Sequence, residues 1–333
     1  MNTDKHRLGL PPRTSGAVLA GLLLAGSALA TPAKDWPHWR GPDRNGISSE
    51  KDWTDQWPAN GPERLWRARI ETGFSSVSIS DGRLFTMGNR NGADVVFCLN
   101  EKTGEENWRR SYPSPLAPRY YDGGPSCTPT VDGKVVYTLG RRGDAIAFNA
   151  ADGEIIWKKN VAAEIGAEYP EWGYAGSPFV AGDKLLLHVG TAGLAVDKKT
   201  GKLLWQTGSS TSGYSTPIPF TQSGKASVAI FGATAMHAVA IDSGAILWSH
   251  PWSTDWDAHA ADPIIDEGKL FMSSGYDSGG ALLRLTEGKP DVLWQNKNMR
   301  NHFNSCVLLD GHLYGFDGNS HRGRAFFACI DWK

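Results

Sequence analysis

Apolar and polar residues alternate along this chain in short runs that are separated by turns containing glycine. One stretch, AIAFNAADGEIIW (145–157), has an alternating run, an Asp-Gly turn and a second run that ends in Trp. A period of two predicts β-strands, and Gly after Asp or Asn favours a tight hairpin turn. The stretch therefore predicts a β-hairpin, which must pack on neighbours because an isolated hairpin is marginal in water.

The same pattern recurs along the chain, so the repeat is the unit of the fold. Its other copies are FCLNEKTGEENW (97–108), LAVDKKTGKLLW (194–205), HAVAIDSGAILW (237–248) and LLRLTEGKPDVLW (282–294). The terminal tryptophans, with that of ERLWRARI (63–70), fall at 66, 108, 157, 205, 248 and 294. Their spacing is typical of four-stranded propeller blades, whereas the main alternative, a β-solenoid, usually has shorter repeats. We predict an all-β propeller of about six antiparallel four-stranded units.

The copy at 194–205 carries a motif of a known family. Ala195, Asp197, Thr200, Gly201 and Trp205 match Ala-x-Asp-x-x-Thr-Gly-x-x-x-Trp, the tryptophan-docking motif of the quinoprotein-like (PQQ-repeat) β-propellers. DWPHWRGPDRNG and EWGYAGSP also resemble secreted planctomycete-type members, and the likeness extends to the outer-membrane assembly factor propellers. The resemblance implies that each Trp packs between blades, and it covers roughly residues 35–333. A fold of this kind does not define an activity.

The last unit of the repeat is incomplete. The ending CIDWK aligns with CLNEK (98–102), which lies shortly before Trp108. One interpretation, which we favour, is that the units form part of a seven- or eight-bladed ring. The other is a closed six-bladed ring in which Glu63–Ile70 pairs with Phe326–Ile330 and supplies the missing strand. Contact between those two strands in the structure would distinguish the alternatives.

The N-terminal residues have a different composition from the repeats. Residues 1–30 combine basic residues, a short apolar run (17–24) and Ala28-Leu29-Ala30, a pattern typical of a cleaved secretory signal. We therefore expect a periplasmic or secreted protein without a membrane span. Removal of this leader changes the formal net charge from −1 to about −3, which gives no indication of a nucleic-acid partner. Residues 31–62 predict an irregular arm, held by Trp36, Trp39 and Trp57 against a propeller domain at 63–333.

Polar and aromatic loops precede the first strand of each unit and predict a binding site at the mouth of the propeller funnel. Aromatic walls with a few acids, amides and histidines suit a planar or sugar-like ligand. The candidate residues are Arg119, Tyr121, Asp122, Glu171, Trp172, Tyr174, Tyr214, Trp256, Asp257, His259, His302 and Asn304. The four cysteines are scattered, and buried strand positions are expected for them. No metal site is predicted from the cysteines or histidines.

Two functions remain open from the sequence. The first is a non-catalytic binding or scaffold module that engages a protein or polysaccharide through its funnel face. The second, implied by the resemblance, is a dehydrogenase that uses PQQ and calcium to oxidise an alcohol or sugar. The chain has no adjacent cysteine pair, which such enzymes often carry, and no hydrolase, P-loop or dinucleotide motif. A calcium site could be drafted from Glu171, Asp257 and Asn304, and no catalytic residue is assigned.

Overall fold

Six antiparallel sheets follow one another along the chain, five with four strands and one with three. The computed structural model describes residues 35–51, 53–119, 121–318 and 325–333. The expected secretory leader lies outside the described residues. Each sheet is a meander in which consecutive strands pair, so every repeat unit of the sequence forms one blade. The all-β propeller prediction is confirmed.

The first three blades contain twelve strands and a short helix. Blade 1 comprises β1 (Ser78–Ser80), β2 (Arg83–Arg90), β3 (Ala93–Asn100) and β4 (Glu106–Pro113). Blade 2 comprises β5 (Thr130–Asp132), β6 (Val135–Leu139), β7 (Asp144–Asn149) and β8 (Ile155–Asn160), followed by helix α1 (Val161–Ile165). Blade 3 comprises β9 (Phe179–Ala181), β10 (Lys184–Leu187), β11 (Leu194–Asp197) and β12 (Leu203–Gln206).

The last three blades contain eleven strands. Blade 4 comprises β13 (Ile218–Gln222), β14 (Lys225–Phe231), β15 (Ala235–Ala240) and β16 (Ile246–Pro251). Blade 5 comprises β17 (Ile264–Asp266), β18 (Lys269–Ser274), β19 (Gly279–Arg284) and β20 (Asp291–Asn296). Blade 6 comprises β21 (Val307–Leu309), β22 (His312–Asp317) and β23 (Phe326–Asp331).

The tryptophan that ends a repeat packs against the turn glycine of the next blade. The indole Nε1 of Trp157 donates to the carbonyl oxygen of Lys198 at 2.9 Å, and the ring lies against Gly201. A Cβ atom on Gly201 would lie 2.7 Å from that ring, and its φ is +68°, so glycine alone fits without strain. The same packing recurs at three other pairs, Trp66–Gly104, Trp108–Gly153 and Trp205–Gly244.

Trp248 docks differently because the hairpin turn of blade 5 is not shaped like the others. Its Nε1 donates to Oε1 of Gln222 at 2.7 Å, and Gln222 in turn donates from Nε2 to the carbonyl oxygen of Thr286. A Cβ atom on Gly288 would meet nothing within 4 Å, so this glycine supports no ring. The copy at 282–294 therefore keeps the strands of the repeat without its docking turn.

Residues 63–70 resemble the final strand of a repeat in their packing but form no strand. Trp66 donates from Nε1 to the carbonyl oxygen of Glu101 at 3.0 Å, and Ile70 packs beside it on the buried apolar side chains of blade 1. In the described part of the chain, β23 pairs with β22 alone. The pairing that a closed six-bladed ring requires between 63–70 and 326–330 is therefore not formed.

Neighbouring blades are joined near the axis by a chain of hydrogen bonds between residues that each lie two positions before a first strand. The amide of Thr128 donates to Ser177 Oγ at 3.0 Å, and the amide of Ser177 donates to Thr216 Oγ1 at 3.1 Å. The amide of Thr216 donates to Asp262 Oδ1 at 2.7 Å, and that of Asp262 to Ser305 Oγ at 2.8 Å. One short polar side chain per blade thus connects blades 2 to 6.

Asp262 differs from its counterparts in this chain because it has a second oxygen. Oδ2 accepts a hydrogen bond of 2.6 Å from the indole Nε1 of Trp39, which belongs to the N-terminal arm. Burial raises the pKa of the Asp262 carboxyl, while the nearby guanidinium of Arg40 acts in the opposite direction. A carboxylate at this position therefore joins the arm to the blade-to-blade hydrogen bonds.

The arm also pairs with first strands through its backbone. The amide and carbonyl groups of Trp36 and Ile79 exchange two hydrogen bonds of 2.8 Å, and Val131 donates to the carbonyl oxygen of Pro37 at 2.7 Å. These contacts attach the arm to blades 1 and 2. Within their sheets β1 and β5 each pair with one strand. The arm therefore gives each of them a second backbone neighbour.

Two arginines extend the arm to blades 3 and 6. Arg40 donates from Nη2 to the carbonyl oxygen of Cys306 at 2.7 Å, and Arg44 lies 4.7 Å from the ring centre of Phe179. Trp57, in contrast, is 66% exposed and donates only to the carbonyl oxygen of Thr54. The expectation that Trp57 holds the arm was wrong, because its ring lies in solvent.

The cysteines are mostly buried. All four cysteines are free; Cys98, Cys127 and Cys306 are buried, but only Cys98 has the expected buried strand position, whereas Cys127 and Cys306 lie in loops and Cys329 is exposed on β23. Burial raises the pKa of the Cys127 and Cys306 thiols to about 12, which makes them unreactive.

Within the described residues, no helix has the length and apolar character needed to cross a membrane.

Candidate functional site

The loops that lead into the first strands present an aromatic residue from every blade. We call these side chains the funnel aromatics: Phe74, Tyr121, Trp172, Tyr214, Trp256 and Phe303. The exposed fractions of Phe74, Trp256 and Phe303 are 54%, 45% and 56%. Single exposed aromatic side chains are common, whereas contiguous groups of them mark interaction surfaces.

Trp172 occupies the middle of this aromatic surface. Its ring centre lies 5.7 Å from that of Tyr214 and 6.2 Å from that of Trp256, with tilted and edge-to-face geometry respectively. Its carbonyl oxygen accepts a hydrogen bond of 3.1 Å from the Tyr121 hydroxyl, and Tyr121 lies 5.3 Å from Phe74. Loops of blades 1 to 5 are therefore joined through one tryptophan, and edge-to-face packing holds the rings in fixed directions.

A second aromatic group lies on the loops of blades 5 and 6. The ring of His302 stacks on Phe303, with centres 3.8 Å apart, and meets Tyr276 edge-on at 4.7 Å. His302 is buried, whereas Phe303 and Asn304 are exposed. The predicted pair His302 and Asn304 is thus split between the interior and the surface.

The charged residues of these loops are mostly acidic. Arg119 Nη1 and Glu171 Oε1 form an ion pair of 2.6 Å. Asp122 and Asp255 are exposed and Asp257 is partly buried, and the described residues supply no hydrogen bond or ion pair to these three carboxylates. Burial raises the pKa of Asp257, and its φ of +49° is a conformation that side chains other than glycine adopt infrequently.

The negative charge of these acids affects the pKa of two tyrosines, Tyr214 and Tyr276. Burial raises the pKa of Tyr214, and the charges of Glu171 and Asp257 raise it further. Burial also raises the pKa of Tyr276, with further contributions from Glu171 and Asp255. Glu171 therefore contributes to the raised pKa of tyrosines from two different blades.

Besides His302, two further candidate residues lie behind the aromatic surface and not on it. His259 is buried, stacks on Phe231 at 4.3 Å, and has ring nitrogens within 2.8 Å of Ser274 Oγ and 3.0 Å of the Ala233 carbonyl oxygen. Burial lowers its pKa to about 4. Tyr174 is also buried, and its hydroxyl donates to a backbone carbonyl at 3.3 Å. Both side chains are therefore part of the interior and are not available to a ligand at the surface.

The drafted calcium site is not assembled by these residues. Glu171 is paired with Arg119, and Asn304 is exposed at the sixth blade. In the described ranges, no group of three or more His, Cys, Asp or Glu side chains could hold a metal ion. Calcium requires six to eight oxygen ligands around one point, so the residues do not fit the site that a calcium-bound quinone would need.

Phe74 and Asp255 belong to this surface but were not predicted from the sequence. Phe74 lies in ETGFSSVS, ahead of the first blade, where the preceding repeat consists of 63–70 alone. Its donation from the backbone amide to the carbonyl oxygen of Pro125 at 2.8 Å fixes it beside the blade 2 loop. Alignment of that segment with the later entry loops would have identified Phe74, whereas nothing in the repeat distinguishes Asp255.

Comparison with solved structures identifies two similar propellers. BamB from Moraxella catarrhalis matches with a TM-score of 0.51 and 16% identity over 72% of this chain and 66% of that one. A europium-containing methanol dehydrogenase matches with a TM-score of 0.51 and 12% identity over 77% of this chain and 66% of that one. The chain thus spans just under two thirds of either structure, and at these identities the likeness concerns the fold.

Comparison with protein families gives a more specific assignment. A search of curated protein sequences produced no significant match. The family model described as outer membrane protein assembly factor BamB matches residues 94–326, which is more than half of the chain. That range runs from β3 to the start of β23 and contains the tryptophan-docking repeats. The chain therefore belongs to the PQQ-like propeller family of outer membrane protein assembly factor BamB.

Proposed function

We propose that this protein is a non-catalytic binding module that engages a protein or saccharide partner through the funnel aromatics. The observation that carries this proposal is an aromatic residue in each of six consecutive loops, three of which, Phe74, Trp256 and Phe303, are exposed. Rings of this kind supply large contact areas at little cost in side-chain entropy, which is why they dominate binding surfaces.

The family supports a protein as partner and the cell envelope as location. The description of the matching family names an assembly factor of the outer membrane, which is a role exercised by contact with other proteins. Residues 1–30 have the pattern of a secretory signal. We propose a periplasmic or secreted location, where a funnel face of this kind would meet its partner.

The test compares two pairs of exposed aromatic residues. Phe74→Ala with Trp256→Ala removes two exposed funnel aromatics, whereas Trp53→Ala with Trp57→Ala removes two exposed tryptophans of the arm, 73% and 66% exposed. Immobilised wild type and both variants are incubated with an envelope extract and with a panel of oligosaccharides, and bound molecules are quantified by mass spectrometry.

We expect a ligand that the wild type and the arm variant retain and the funnel variant loses at least tenfold. This ratio corresponds to about 1.4 kcal/mol, which is below the roughly 2 kcal/mol or more that truncation of one hot-spot residue costs. Equal retention by all three proteins would place the binding site elsewhere, and retention by none would remove the binding proposal.

The second candidate function is a PQQ- and calcium-dependent dehydrogenase. The fold that this chain shares with a methanol dehydrogenase motivates it, but the drafted calcium ligands do not come together. Titration with PQQ and Ca²⁺, followed by quinone absorbance and by reduction of a dye in the presence of alcohols and sugars, tests it. We expect neither signal; a saturable quinone absorbance would establish the cofactor site and overturn the non-catalytic proposal.

A further inference from the structure

The funnel face combines exposed aromatic rings with an excess of negative charge. Asp122, Glu171, Asp255 and Asp257 lie in its loops, and Arg119 is the counter-ion of Glu171. Arg141 lies below this face, 3% exposed and 5.8 Å from the ring centre of Tyr169, so its charge is not presented at the surface. The acids therefore outnumber the basic groups that a ligand would meet.

Asp255 and Asp257 flank the most accessible tryptophan of this face. Trp256 lies between them in the chain and is 45% exposed. Its ring packs edge-to-face on Trp172, and the carboxylates of Asp255 and Asp257 belong to its two neighbours in the chain. A cation placed over such a ring is attracted by the negative π face, and carboxylates beside it add a direct charge interaction.

The carboxylate of Asp257 has the environment of a group whose counter-ion is supplied by a ligand. Its side chain is partly buried, its pKa is raised by that burial, and no cation among the described residues pairs with it. An isolated carboxylate withdrawn from water is costly, and pairing with a cation recovers this cost. The charges of Glu171 and Asp257 raise the pKa of Tyr214, and those of Glu171 and Asp255 raise the pKa of Tyr276.

We propose that the funnel face binds a basic segment of a partner protein, with Lys or Arg side chains seated on Trp256 and Trp172 between Asp255, Asp257 and Glu171. This inference rests on the proposed binding function and specifies its ligand. An extended peptide fits better than a compact cation because the aromatic row runs across the loops of five blades, from Phe74 to Trp256.

The probe is a fluorescein-labelled peptide in which Lys and Ser alternate, and its matched control has Glu in place of Lys. Fluorescence anisotropy is measured at low and at physiological salt. Asp255→Asn with Asp257→Asn removes two of the proposed charges. Asp266→Asn is the control variant, because this exposed acid lies at the opposite end of the same blade's first strand.

We expect the Lys peptide to bind and the Glu peptide not to bind. The double Asn variant weakens binding at least tenfold, Asp266→Asn less than twofold, and the higher salt concentration several-fold, since screened charges carry the interaction. Trp256→Ala weakens binding as well, whereas Trp256→Phe restores part of the loss. This partial rescue distinguishes contact with the ring from a structural defect.

Four results would contradict the inference. Equal binding of the Lys and Glu peptides, or the absence of binding by the Lys peptide, removes the basic partner. Binding of a neutral oligosaccharide that Trp256→Ala abolishes and salt leaves unchanged would refute the basic segment while upholding the funnel aromatics as a binding surface. Insensitivity of every ligand to Trp256→Ala would refute the proposed function itself.

Discussion

At the scale of single residues, Asp262 joins two parts of the fold through its two carboxylate oxygens. Its neighbours in the blade-to-blade chain are Ser or Thr, each of which accepts one amide hydrogen bond. Asp262 accepts from the Thr216 amide and from the Trp39 indole, at 2.7 and 2.6 Å. The two acceptors cannot be replaced by a hydroxyl, because a hydroxyl oxygen lies at one point and the carboxylate oxygens at two.

Replacement of Asp262 by Ala leaves two buried donors without acceptors. We expect it to lower the free energy of unfolding by roughly 2–4 kcal/mol, since each unsatisfied buried group costs about 1–3 kcal/mol. Ser305→Ala removes a single acceptor from the same chain of hydrogen bonds and is expected to cost about 1 kcal/mol. Urea unfolding of the two variants measures both values; equal losses would show that the second oxygen contributes nothing.

His188 gives a prediction for the dependence of stability on pH. Burial lowers the pKa of this ring from its ordinary 6.5 to about 4, and Nδ1 lies 2.8 Å from the carbonyl oxygen of Ser215. Below pH 6.5 the unfolded chain binds a proton that the folded protein excludes until about pH 4. Stability contributed by the neutral ring is therefore present above pH 6.5 and is lost as the pH falls.

Between pH 6.5 and 4, the free energy of unfolding of His188→Gln should fall less steeply with decreasing pH than that of the wild type. The expected difference in slope is about 1.4 kcal/mol per pH unit. The buried carboxyls Asp94 and Asp262, whose pKa values are raised, act in the opposite direction, so the difference between wild type and variant is the quantity to measure. His312→Gln, at an exposed position, serves as control. Parallel pH profiles for wild type and His188→Gln would contradict the assignment.

At the scale of elements, the contact between a tryptophan and the turn glycine of the next blade joins the blades. Gly201 provides a flat surface for Trp157 because it lacks a Cβ atom, and its backbone has a positive φ that glycine adopts at no steric cost. Gly182, in the preceding turn of the same blade, has φ of +60° but would place a Cβ atom in open space. A comparison of substitutions at the two glycines therefore distinguishes the cost of a positive φ from the cost of contact with the Trp157 ring.

Gly201→Ala should destabilise the protein more than Gly182→Ala. The control carries the cost of left-handed backbone alone, about 1–2 kcal/mol. The Gly201 variant adds a clash with Trp157, for which we expect a further 1–3 kcal/mol, the usual range for overpacking. Thermal or urea unfolding gives the difference. Identical losses at both positions would mean that the Trp157 ring moves aside freely.

The repeat predicted these elements because strand alternation, turn chemistry and docking tryptophan are all local features of the sequence. It failed at the copy 282–294, where Gly288 and Trp294 are both present but Gln222 replaces the usual backbone acceptor for Trp248. It also could not place His259 behind the funnel surface, because a loop sequence does not reveal which side chains turn inward. Those outcomes depend on neighbours in other blades.

At the scale of the whole molecule, the arm is the part that the sequence described least well. Composition predicted an irregular segment, and three tryptophans were expected to hold it. Trp36 and Trp39 contact the blades, but Arg40 and Arg44 make the contacts with blades 6 and 3 that no local pattern indicated. Long-range partners of this kind cannot be inferred from periodicity, because the arm has no period.

Arg40→Ala should release the arm from the sixth blade. The guanidinium donates to the carbonyl oxygens of Arg44, Asn45 and Cys306, so its removal leaves buried acceptors unpaired and is expected to cost roughly 2–4 kcal/mol. Hydrogen exchange should accelerate in the arm and in β21. Arg83→Ala, which removes an exposed ion pair with Asp81, should change stability by less than about 1 kcal/mol; comparable effects of the two changes would refute the role of Arg40.

The contacts of the arm also set the order in which the molecule can form. Trp39 and Arg40 are made early in synthesis, but their partners Asp262 and Cys306 follow 223 and 266 residues later. At about 5–20 residues per second, the arm waits roughly 10–50 s for those partners. The backbone pairing of the arm with blades 1 and 2 can form earlier, so the contacts of Trp39 and Arg40 are the last to form and require blades 5 and 6.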